Sequence, residues 1–173
     1  MASTLSQTIF FSILLFLSLH QAYAKKTHLH FYFHETILGP NATVMTVVRA
    51  PNSTSDALAF GAIAVVDDIL REGEDENSTL IGRCQGLVAE VGLDGSRETL
   101  QNFVFTDGKY NGSTLAVYGK HVSATKMETL IIGGTGLFRM TKGYTIGIPL
   151  LITDSKVIYE FDVYVWHMEM KDD

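Results

Sequence analysis

Between Leu29 and Glu35 every second side chain of an extended chain falls on one face, so Leu29, Phe31, Phe33 and Glu35 form one row and His28, His30, Tyr32 and His34 the other. The first row closes three large apolar side chains with a carboxyl. Turned toward an apolar interior, Glu35 would lose its water, its neutral form would be favoured, and its pKa would rise toward the range of general acid–base chemistry. Turned out at the end of its strand, it would simply meet solvent, and periodicity does not choose between the two. The histidine row raises zinc, because neutral imidazoles projecting from one side of a strand can converge on a metal. Successive same-face residues point in parallel, however, and no Cys or carboxylate is spaced to close a tetrahedron, so no metal site is expected.

A second acid, Glu90, interrupts the run Leu87-Val88-Ala89-Glu90-Val91. Inside the fold and near Glu35 it would raise the pKa of one of the two by like-charge repulsion, making an acid–base pair without a metal. Facing water it would be a charge that guards an edge strand. Asp67-Asp68 follow Ala62-Ile63-Ala64-Val65-Val66; neighbours on a strand point to opposite faces, so the two cannot share a pocket unless a bulge intervenes. There is no Gly-x-Ser-x-Gly elbow, no phosphate-cradling loop, no paired-cysteine motif and no dinucleotide fingerprint. The single Cys84 lies in an apolar strand pattern, where a buried inert thiol is expected and no internal disulfide can form.

These residues must be held by strands. Segments rich in Val, Ile, Phe, Tyr and Thr recur between Gly, Asn and Asp, and none sustains a helical period. The pattern predicts strands near 28–35, 43–50, 58–69, 80–92, 100–106, 113–118, 128–133, 136–148 and 156–167, with Gly133-Gly134-Thr135-Gly136 as a glycine-enabled hairpin. That many strands in a chain of 173 residues, 46% of them hydrophobic, point to one all-β domain, a closed barrel or a sandwich. A formal charge of −6 offers no net attraction to nucleic acid or to an anionic membrane, and neither is expected as a partner.

The first 24 residues carry no charged side chain, contain an apolar core of signal-peptide length and end in the small-x-small pattern Ala22-Tyr23-Ala24. Residues 1–24 are therefore expected to be a signal peptide and 25–173 the secreted domain. Asn41, Asn52, Asn77 and Asn111 each open an Asn-x-Ser/Thr sequon and are expected glycosylation sites.

Five blocks in order carry a resemblance: His30-Phe31-Tyr32-Phe33-His34-Glu35, Gly39-Pro40-Asn41-Ala42-Thr43, Phe60 to Asp68, Gly82-Arg83-Cys84-Gln85-Gly86, and Gly133 to Tyr144. Together they resemble the plant dirigent proteins over essentially the whole secreted chain. The resemblance implies an eight-stranded antiparallel β-barrel, allene-oxide-cyclase-like in architecture, exported to the apoplast and assembled as a homo-oligomer, usually a trimer. It implies a role in phenylpropanoid chemistry in which an external laccase or peroxidase makes phenoxyl radicals and the barrel orients these phenolic radicals so that coupling gives one stereoisomer, as in lignan formation. No cofactor is expected, because a protein that does not make the radical needs no metal, flavin or haem.

Carried over position by position, the family's His-Asp pair is His34-Glu35 here. Pinoresinol-forming members place an Asp after Gly-Gly-Thr-Gly and an Arg five residues on, where this chain has Leu137 and Lys142; they place two tyrosines where Val88 and Glu90 stand, and carry a bridging cysteine pair that this chain lacks. The pocket expected is lined by Phe31, Phe33, Val88, Leu137 and Lys142, with Glu35 and Glu90 as its acids. Two other readings remain beside the stereo-directing one. The first is a dehydratase acting through a quinone methide, like the pterocarpan synthases. The second is a carbohydrate-binding wall protein, for which Trp166 alone gives little stacking surface.

Overall fold

The computed structural model describes residues 24–49, 59–122 and 124–168. Among the described residues nine strands run in order as β1 (Ala24–Thr36), β2 (Val44–Val48), β3 (Ile63–Arg71), β4 (Leu80–Glu90), β5 (Ser96–Phe105), β6 (Thr114–Val122), β7 (Met127–Thr135), β8 (Lys142–Ile152) and β9 (Lys156–Met168). Alternation builds them as predicted: in β3, Ala64, Val66, Asp68 and Leu70 are buried while Val65 and Asp67 are exposed.

Every pairing is antiparallel, in the order β1-β9-β8-β7-β6-β5-β4-β3-β2, and β1 also pairs with β3. That last contact closes an eight-stranded barrel and leaves β2 as an added ninth strand. β3 therefore has two partners along one edge. Its Ile69–Arg71 end pairs with β1 and its Ile63–Val66 end with β2, so the handover falls at Asp67-Asp68.

The barrel is stoppered at one end. Phe31 packs edge-on against Phe103 near the middle, at 5.2 Å between ring centroids. Where β5, β7 and β9 finish, Phe138 stacks on Tyr110 at 5.0 Å and meets Phe105 at 5.7 Å. Phe138 reaches this position from a 3-10 turn, Gly136–Phe138, that Gly136 enters at φ +59°. The strand expected from Gly136 consequently begins only at Lys142. Gly86 faces inward on β4, where an added Cβ would stand 2.6 Å from Gln101 Cα and run into the Leu100 carbonyl, so the tight crossing of β4 and β5 requires a glycine there.

Candidate functional site

The opposite end, where β4, β6 and β8 finish, opens into a cavity of about 80 Å³. Phe33, Val88, Met127 and Phe161 supply its apolar wall, and Glu35, Arg97, His121 and Tyr159 reach it with polar atoms. Parity explains Glu35: it continues the inward row of Phe31 and Phe33 at the last turn of β1. Burial raises its pKa, and the charge of Arg97 offsets part of that rise.

The acid facing Glu35 is Asp68. It is fully buried, its Oδ1 accepts a hydrogen bond from Thr43 Oγ1 at 2.5 Å, and its Oδ2 is buried with no partner. Burial first, then the charge of Glu35, push its pKa to about 8. Asp67 points the other way, held outside by Arg83 and by Gln85 Nε2 at 2.9 Å. Thr43 reaches Asp68 because β1 has left β3 at that level and the chain returns as β2.

Glu90 is interior, 4% exposed, but its charge is met by Arg97, whose Nη2 lies 2.5 Å from Oε1. The carboxyl that feels the charge of Glu35 is Asp68, while Glu90 is paired with Arg97. Phe31 is core beneath the cavity, packed on Phe103 and Phe161. Leu137 is exposed on the 3-10 turn and Lys142 is exposed at the start of β8, both at the stoppered end. They do not join Glu35 around one cavity, because β7 starts at the open end and runs away from it. The structure thus gathers Glu35, Phe33 and Val88 at the cavity, places Glu90 beside it, and leaves Phe31, Leu137 and Lys142 elsewhere.

Tyr159 shares the inward parity of Phe161, Val163 and Val165, while Arg97 and His121 are polar ends of inward rows whose other members are Phe103 and Phe105, and Leu115 and Val117. They meet only through register, as in the Arg97↔His121 pair. Burial and the neighbouring guanidinium lower His121 to about 4, and burial raises Tyr159. On the outer face, His28 Nε2 and His30 Nδ1 share Asp162 Oδ1 at 2.6 and 3.2 Å, and His34 Nε2 meets the Gly73 carbonyl at 3.2 Å. Among the described residues no three side chains are grouped to hold a metal. Asn41, Asn77 and Asn111 are exposed, while Asn52 and residues 1–23 lie outside the described residues.

Chemically, the cavity sets ring and aliphatic walls beside a desolvated carboxyl able to give a proton and polar groups able to hydrogen-bond. Comparison with known proteins gives a consistent picture. The family model described as Dirigent-like protein matches residues 26–166. Dirigent protein 11 of Arabidopsis thaliana is 41% identical over 145 residues, covering 83% of this chain and 75% of that one. Pterocarpan synthase 1 of Glycine max is 35% identical over 146 residues, covering 82% and 78%. The solved structure of the pterocarpan synthase dirigent protein GePTS1 superposes with a TM-score of 0.80 at 31% identity, covering 87% of this chain and 89% of that one.

Proposed function

The chain belongs to the dirigent family, and from that footing we propose that it binds phenoxyl radicals supplied by an external laccase or peroxidase in the cavity beside Glu35 and fixes the face on which they react. The observation that carries this reading is a carboxyl pair, Glu35 and Asp68, whose pKa values are raised inside an apolar barrel. Coupling of two such radicals forms a carbon–carbon bond and leaves quinone methides. Attack by a side-chain hydroxyl on the methide carbon then restores the phenol: Glu35 gives its proton to the quinone-methide oxygen and regains one from the attacking hydroxyl. Asp68, outside the cavity lining, acts on Glu35 through charge alone, each carboxyl disfavouring ionisation of the other. Orientation against the Phe33–Phe161 wall supplies selectivity, since each ~1.4 kcal/mol between competing faces is tenfold in rate.

The second reading, dehydration of a phenolic alcohol through a quinone methide, is favoured by the raised pKa of Glu35 at the cavity, because a departing hydroxyl needs a proton. The relatives named pterocarpan synthase support it at family level. Purified protein separates the two. Optically active products from coniferyl alcohol only when laccase is added support the stereo-directing role, and cyclised product from an isoflavanol without oxidase supports the dehydratase. Racemic coupling together with inert isoflavanol overturns both.

Export to the apoplast is supported by the uncharged apolar leader and the exposed sequons. Self-association is supported by a row of exposed apolar side chains in register across the outer face, Met45, Val65, Leu87, Leu100, Tyr118 and Leu130.

A further inference from the structure

Tyr159 borders the cavity but takes no part in the proton transfers assigned to Glu35. It stands in the inward row of β9 and pairs with Phe33 across β1 and β9. Its ring is wedged between two others, edge-on to Phe33 at 6.3 Å between centroids and tilted on Phe161 at 6.2 Å, so packing fixes where its hydroxyl ends up. The neighbours of the hydroxyl identify that place. The N–H of Ala124 bonds the Tyr159 oxygen, and the charges of Arg97 and Glu35 both act on it. All three residues line the cavity, which puts the hydroxyl at the cavity and not behind its wall. Ala124 is exposed in the turn between β6 and β7 and holds φ at +63°, a left-handed conformation that a residue with a Cβ seldom adopts. This strained residue supplies the N–H that pins the oxygen. The hydroxyl hydrogen remains unspent, because the bond from Ala124 is the only one the group makes among the described residues. Burial raises the hydroxyl's pKa, so it stays a neutral donor.

We infer that Tyr159 donates this hydrogen to the oxygen of the bound radical and thereby sets which face of its ring is presented. The inference rests on the reading of the cavity as a site for phenoxyl radicals. A phenoxyl oxygen carries no hydrogen and can only accept, which suits a donor with one to spare. After coupling, the same atom becomes the quinone-methide oxygen, whose two lone pairs serve Tyr159 and the proton of Glu35. The two residues are diagonal neighbours across β1 and β9, since Glu35 lies opposite Val157, so both can address one point. Tied by its oxygen at that corner and held against the wall of Phe33 and Phe161, a ring presents one face to a partner arriving from the mouth.

Tyr159→Phe keeps the ring with its packing and removes only the hydroxyl. With coniferyl alcohol and laccase, chiral chromatography should show the ratio of product enantiomers falling about fivefold or more against the wild-type protein, the size of one hydrogen bond, with circular dichroism unchanged. Tyr159→3,5-difluorotyrosine keeps a hydroxyl that ionises far more readily. Its enantiomer ratio, divided by that of the wild-type protein at the same pH, should decline as pH rises and the donor is lost. Should the Phe variant fail to fold, the fluorinated one carries the test alone. A ratio unchanged in Tyr159→Phe, or a fluorinated variant that tracks the wild-type protein at every pH, overturns the assignment while leaving the proposed function standing. Racemic product from the wild-type protein overturns the phenoxyl reading of the cavity and this inference with it.

Discussion

Asp68 shows how one residue can be half legible. Its parity with Ala64, Val66 and Leu70 already assigns it to the inner row, yet the adjacent Asp67 presents the same chemistry, and the sequence shows neither the Arg83 contact outside nor Thr43 inside. The proton it keeps makes a clear prediction. With a folded pKa near 8 against an ordinary 3.8, the native state holds a proton that the unfolded chain loses, so stability falls as pH rises through that window. Asp68→Asn keeps an acceptor for Thr43 but has no proton to lose. Its melting temperature should be flatter with pH, the difference amounting to about 1.4 kcal/mol for each pH unit between the two values. Parallel curves would mean that Asp68 is charged in the fold. Glu35→Gln keeps the shape and removes the transferable proton, so chiral chromatography should show enantiomeric excess or product yield falling about tenfold or more, with circular dichroism unchanged. Full retention of both would discard Glu35 as the acid.

At the level of elements, periodicity located the strands because each buries one face, and the period of two survives in sequences such as Leu29 to Glu35. It misplaced the start of β8, since Gly136–Phe138 is apolar enough to read as strand while Gly136 bends the backbone to deliver Phe138 into the barrel end. Leu137 and Lys142, carried to the pocket by the resemblance and not by periodicity, stand at the stoppered end, because strand direction relative to the cavity is a property of pairing and not of pattern. Tight crossings are likewise written in pairs of strands. Gly86→Ala should destabilise the protein by about 1–3 kcal/mol through the Gln101 backbone, measured by urea denaturation. A smaller cost would show that β4 and β5 separate easily there.

For the whole molecule, closure depends on the three-residue contact of β1 with β3, between segments almost forty residues apart, and no local pattern announces it. The barrel was reached through resemblance, while composition alone left a sandwich equally open. The outer apolar row runs across the sheet and not along a strand, so it too becomes visible only after registration. Leu100→Lys, placed in the middle of that row, should lower the mass seen by light scattering toward that of a single copy, with the fold intact; an unchanged mass would remove the row from any self-contact. The Phe138 stopper has one more effect. A barrel sealed at its base is a cul-de-sac, so whatever is made beside Glu35 must back out through the doorway its precursor used. Product and fresh reactant then contend for a single threshold, and accumulated product should slow turnover as a competitive inhibitor.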